Sequence, residues 1–232
     1  MIFQRMRAQA QGVNWFWLVA EFLMLIVGFF IGLQVNDLQD SRIERELEAE
    51  YLDRLVADFE QSQSQLRESV TRMTAVLGTL DAGMDLLSEQ ALSEAQHGMI
   101  FDAVSVAGIF AQFDIALGTV EELKDTGNMR LIRSKELRGG LADLWQRYQK
   151  IIRLSEIRAL YRVDASSQLS AHLYPKKGAS VGWDTKSVEN NRRELYAALA
   201  RIRYNQAADI ADSRKLLSLL EENTAVIKSI LN

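Results

Sequence analysis

Residues 15–35 read WFWLVAEFLMLIVGFFIGLQV, 21 positions with a single ionisable side chain, Glu21. No other feature restricts the chain so much. At 1.5 Å per residue a helix of that length spans roughly 31 Å, the thickness of a bilayer's hydrocarbon core. The alternative is a buried core helix, but such a helix rarely runs this long with apolar residues on every face. Trp15 and Trp17 stand at one end, where amphipathic rings favour the headgroup region as interfacial anchors. The spacing predicts a transmembrane helix over 15–35 behind a short basic tail, 1–14, that holds Arg5 and Arg7 and no acid. A cleaved signal peptide shares the basic start and the apolar run. The sequence from Ile31 to Asn36 offers no small-x-small cleavage site, so the reading is an uncleaved signal anchor. The tail without acids favours a cytoplasmic N-terminus, with residues 37–232 on the periplasmic side of a bacterial inner membrane.

Within that block Glu21, Leu25, Gly28, Gly32 and Val35 fall on one stripe at 100° per residue. Gly28 and Gly32 form a GxxxG, the spacing that lets two helix backbones approach closely. A carboxyl group in hydrocarbon costs a few kcal/mol, so Glu21 has to find protein or water. Two readings stay open. Glu21 snorkels to the interface beside Trp17, or it joins the glycines in a helix–helix contact, with proton handling as a variant of the second.

Residues 37–232 carry 25 basic and 30 acidic side chains, net −5, and their apolar spacing is helical almost throughout. Leu66, Val70, Met73, Leu77, Leu80, Met84 and Leu87 recur at alternating steps of four and three, a heptad-like seam on a helix over about 41–88. Ser93 with Gln96 makes a capping box for a helix over 93–107. Thr119 with Glu122 makes another for 119–126, which Gly127 closes, and Ser134 caps a long helix over 135–173. The single proline, Pro175, follows that helix, and a last helix runs over 187–231 with Gln206, Asp209 and Ser213 as polar layers in its apolar seam. The expected fold class is all-α: an N-terminal transmembrane helix continuing into an elongated antiparallel helical bundle of long, coiled-coil-like helices. Residues 41–90 hold 5 basic and 11 acidic side chains and residues 135–177 hold 9 and 4, so opposite charge favours these two elements as neighbours.

Chemistry is harder to find. The absence of cysteine excludes disulfides, thiolate metal sites and a cysteine nucleophile. The two histidines, His97 and His172, lie far apart without clustered carboxylates, which points to no metal site and no cofactor. Phosphate-binding, zinc-protease and serine-nucleophile motifs are missing, so the chain reads as not an enzyme. A net charge of −4 gives no field for nucleic acid. The most conspicuous segment is 119–138, a short capped helix, a glycine stop and a second capped start. Its Arg130, Arg133, Lys135 and Arg138 read either as an anion or partner contact or as cations serving helix ends.

Three stretches carry a resemblance. Glu21, Gly28, Gly32, Leu33, Gln34 and Asn36 occupy the positions of a span of the form GE-x6-G-x3-[AG]-LQ-x-N, and Tyr51–Leu55 with Asp58-Phe59 and Thr119–Arg138 match two later blocks. The second of these has the type Y-E-E-L-K-x2-G-x3-L-I-x-N-x2-L-R, with Val120 and Ser134 as substitutions. The chain thus resembles a family of uncharacterised bacterial membrane-anchored proteins with a domain of unknown function. Asp37-Leu38 departs from the Asn-Trp common there. The resemblance implies a single-span helical membrane protein and supplies no activity. It also favours a packing interface at Glu21 and the two glycines.

The expected function is a non-enzymatic, membrane-anchored assembly or accessory subunit, whose partners are the lipid bilayer and either further copies of itself or other membrane protein subunits. Two alternatives are a subunit of an ion-driven membrane machine that uses Glu21, and a periplasmic ligand sensor that signals through a partner.

Overall fold

The computed structural model describes residues 15–110, 115–174 and 183–231; in the first helix the side chains of residues 30–38 and 40 lie outside that description. The fold is all-α, with six α-helices and one 3-10 helix among the described residues. Helix α1 runs Trp15–Leu87, α2 Glu94–Val106 and α3 Gly118–Asp125. After a 3-10 turn at Asn128–Leu131 come α4, Lys135–His172, α5, Thr185–Asn190, and α6, Arg192–Leu231. Contacts divide the chain into residues 1–50 and residues 51–232.

The heptad-like seam of α1 explains the core of the second unit. Leu52, Leu55, Phe59 and Leu66 pack with Leu137, Leu141 and Leu144 of α4 and Leu216, Leu220 and Ile227 of α6. Lower on α1, Leu80 and Met84 join Ile100 and Ala103 of α2, Leu169 of α4 and Leu195, Leu199 and Ile202 of α6. α6 therefore runs antiparallel to both α1 and α4. Its cross-links keep that order, from Gln63–Thr224 (2.8 Å) through Arg67–Glu221 (2.6 Å) to Asp81–Arg203. α2 approaches α1 closely at Gly83, where a Cβ would collide with that of Ala103.

Local signals succeed where no other helix interferes. Ser93 and Gln96 form the reciprocal capping box of α2, and the Ser134 hydroxyl accepts from Leu137 N–H at 3.1 Å. Gly127 adopts φ 73°, the left-handed region, at the end of α3.

Two expectations need correction. The box at Thr119 does not form: α3 starts at Gly118, its N-cap Leu117 makes no side-chain bond, and Thr119 is buried in the first turn. Asp58 of α1 takes over the capping by accepting from Thr119 N–H at 3.1 Å, so a tertiary acceptor displaces the local one. The helix expected over 187–231 starts at Thr185, capped by Asp184, and breaks at Asn191. There the side-chain amide of Asn191 donates to Ser187 O (2.8 Å) and His172 O (3.2 Å), competing with helix continuation. α1 and α4, the pair that opposite charge favours as neighbours, share the first apolar core. Among the described residues, ion pairs of α1 with other helices run to α6, through Arg67–Glu221, Asp81–Arg203 and Glu60–Lys228, and to α3 through Arg54–Glu122. The transmembrane helix expected over 15–35 gains no support from the described residues. α1 does begin at Trp15, but among the described residues no helix is long and apolar enough to cross a membrane.

Candidate functional site

The first part of α1 holds one group of sequence-derived site residues. Trp15, Trp17 and Leu25 are 75%, 70% and 68% exposed, and Glu21 is exposed on the same helix. A Cβ on Gly28 would meet nothing within 4 Å, so this face of the glycine is open. Gly32 and Val35 lie outside the described side chains. Phe16, Phe22, Met24 and Phe29 are also strongly exposed, so apolar side chains project on all sides of this stretch.

The segment 119–138 holds the second group, and the structure brings it onto the Tyr51–Phe59 block. Tyr51 hydroxyl donates to Glu122 Oε1 at 3.0 Å, Arg54 bonds the other carboxylate oxygen, and Asn128 donates to Tyr51 Oη at 3.0 Å. The hydrogen bond from Arg54, followed by that from Tyr51, holds the Glu122 carboxyl below the usual carboxylate range. Lys124 sits over the Trp145 ring at 5.0 Å, joining α3 to α4. Arg138 turns back to donate to Ile132 O and, at 3.1 Å, to Arg133 O, so this guanidinium binds the carbonyls ahead of α4. Arg130, Arg133 and Lys135 are exposed.

Sequence reasoning missed the most unusual cluster. In α4, Arg162 is 2% exposed, and in α6, Asp209 is fully buried. Arg162 donates to one oxygen of Asp209, while Arg158 Nε stands 2.6 Å from the other and Arg158 Nη2 donates to Asp212 at 2.8 Å. Phe110 places its ring 4.7 Å from the Arg162 guanidinium carbon. Burial pushes the Asp209 carboxyl above its ordinary range, and the two guanidiniums pull against that. Gln206, a turn earlier on α6, donates to Met73 Sδ at 2.6 Å. The ionic layer lies between the two apolar clusters. The signal for half of it was present, since Asp209 interrupts an apolar seam. Its partners were hidden because Arg158 and Arg162 look like any solvated i,i+4 pair.

In this arrangement the Asp209 carboxylate is enclosed by two cations. His97 is similarly engaged, with its ring nitrogens 2.9 Å from Ser93 O and 3.1 Å from Glu189 Oε1. Among the described residues no group of three or more metal-ligating side chains could hold an ion. Beside the ionic layer a groove of about 740 Å³ opens between α4 and α6, walled by Tyr161 and Tyr204 and floored by Ala200 and Ala208. The chain matches no protein-family model, no curated protein and no solved structure.

Proposed function

We propose that the protein is a non-enzymatic, membrane-anchored assembly subunit: a bundle of helices held at a bilayer by the first part of α1. The observation that carries this reading is the exposure of Trp15–Phe29 on every side of the helix. A patch of that size and composition is unstable in water and calls for lipid or another apolar surface. The sequence continues Phe30-Ile31-Gly32-Leu33-Gln34-Val35, which extends the apolar run to bilayer length. On this reading Trp15 and Trp17 anchor at the interface, while Glu21, Leu25, Gly28, Gly32 and Val35 face a neighbouring helix. The resemblance to single-span bacterial membrane proteins points the same way. In the bundle, the charged groups at the centre are spent on each other, which suits a scaffold better than an active site.

Alkaline carbonate extraction of membranes from expressing cells tests the anchor. The full chain should stay in the membrane pellet, and a chain with Leu18, Leu23 and Val27 all changed to Lys should move to the supernatant. Release of the unaltered chain by carbonate would defeat the reading. Because the chain lacks cysteine, single cysteines at positions 8 and 130 report the side of the membrane by labelling with an impermeant maleimide. The expected result is labelling of intact cells or spheroplasts at 130 only.

A further inference from the structure

The outer face of α4 carries a pattern that the bundle does not use. Lys150, Arg153, Leu154, Ile157, Leu160, Tyr161 and Asp164 are all exposed, and their spacing (3, 1, 3, 3, 1, 3) reads the same from either end. At 100° per residue they lie within roughly 60° of Ile157, three on each side at mirrored angles. Ile157, Leu160 and Tyr161 are 50%, 72% and 61% exposed, too much apolar surface in one stripe for a helix meant to face water.

The chemistry of the stripe is self-complementary. Laid antiparallel against a second copy and centred on Ile157, the helix brings Ile157 to its own equivalent and Leu154 to Leu160. The same operation sets Arg153 against Tyr161, a cation over a ring, and Lys150 against Asp164, an ion pair. Asp164 is prepared for that role. Arg201 and Gln168 both donate to its Oδ2, each at 3.1 Å, which leaves Oδ1 open. Among the described residues Lys150 and Arg153 have no acidic partner of their own. A lipid surface would not require an acid at one end of the stripe, and a foreign helix would not require mirror spacing. A two-fold axis requires both. Tyr204, 74% exposed across the groove of about 740 Å³ from Tyr161, adds a second apolar ridge beside the stripe.

We propose that α4 is the two-fold interface of a homodimer, in which two copies of this chain cross antiparallel at Ile157. This contact lies in the bundle and does not depend on how the first part of α1 meets a membrane.

The absence of cysteine allows a direct test on the full chain in mild detergent, carrying Gly28→Ile and Gly32→Ile to remove contact through the glycine face of α1. Ile157→Cys, oxidised with copper phenanthroline, should cross-link most of the protein as a dimer, because position 157 sits on the axis. Val163→Cys, equally exposed but off the stripe, should not. By sedimentation equilibrium, Ile157→Asp should weaken dimerisation at least about tenfold, the scale of a central contact, and Lys150→Asp should weaken it by a smaller, severalfold factor through like charges at the ends of the stripe. Lys150→Asp combined with Asp164→Lys should recover most of that loss. The proposal is overturned if the chain is monomeric, if Val163→Cys cross-links as readily as Ile157→Cys, or if the dimer is indifferent to Ile157→Asp. Failure of carbonate resistance would leave these results untouched, so the two readings fail separately.

Discussion

Replacing Arg162 by Met keeps the length and apolar body of the side chain and removes only the guanidinium. That group bonds Asp209, and its loss leaves a carboxylate of zero exposure with Arg158 as its remaining contact among the groups described. Breaking one side of a buried ion pair typically costs about 3–5 kcal/mol, because the remaining charge is left without compensation. For a unit of this size each kcal/mol lowers the melting temperature by about 2–4 °C, so a fall of about 6–20 °C is expected. Thermal unfolding of the full chain in mild detergent, followed by far-UV circular dichroism, measures it. Arg162→Met combined with Asp209→Leu should recover part of the loss, since it removes both desolvation terms of that pair but leaves Arg158 with Asp212 alone. The pH dependence has a definite sign. Burial raises the folded-state affinity of Asp209 for its proton. Its contribution to stability is therefore full below the ordinary carboxylate range and is lost as pH rises through the raised folded value. Removing Arg162 takes away one of the groups opposing that shift, so the variant should lose more stability than the parent over that interval. A loss below about 1 kcal/mol, or a double variant no better than the single one, would refute the account of the ionic layer.

Three further outcomes follow from particular contacts. Asp58→Ala should cost about 0.5–2 kcal/mol, the usual range for an N-cap, whereas Thr119→Ser, which keeps the backbone N–H, should change little; denaturant titration separates the two. Gly83→Val should destabilise by about 1–3 kcal/mol through collision with Ala103, and Ala103→Gly should relieve part of it in the double variant. Glu122 has its carboxyl held down by Arg54 and Tyr51, so its stabilisation is present above the ordinary carboxylate range and is lost as pH falls through the lowered folded value. Glu122→Gln should flatten that acid limb of the stability profile, and an unchanged limb would show that the bond network does not act through this group.

Local patterns were legible wherever the controlling atoms lie within one turn of each other. The Ser93 box, the Ser134 cap and the left-handed Gly127 all depend on residues three or four apart, and all stand where the sequence places them. Thr119 failed for the opposite reason. Its acceptor, Asp58, is 61 positions away, and no local rule weighs it against Glu122. The unbroken helix expected over 187–231 failed because its break at Asn191 depends on where the end of α4 leaves the carbonyl of His172. Charge summed over segments was too coarse to name the ion pairs, because it cannot say which face of α1 carries the acids. The blocks at 51–59 and 119–138 were legible as blocks, yet their meeting through Tyr51, Arg54 and Glu122 is a tertiary fact. So is the pairing of Asp209 with Arg158 and Arg162, which hydropathy spacing cannot distinguish from a solvated face.

The ionic layer explains why an apolar seam tolerates polar residues that cost stability. Helices with apolar residues every three and four positions can slide by seven residues and keep their seams in contact. In α6 such a slip brings Ile202 or Leu216 to the place of Asp209. Either leaves the guanidiniums of Arg158 and Arg162 facing aliphatic carbon, with each unpaired buried charge costing several kcal/mol. The native register is the one that pairs both. Gln206 adds to the selection, because a slip in one direction puts Leu199 opposite Met73 and leaves the amide elsewhere. Breaking Asp209–Arg162 alone therefore penalises the native register. Replacing the whole layer by apolar side chains instead removes the penalty on its competitors, so such a variant should gain stability while its hydrogen-exchange protection along α6 becomes less uniform.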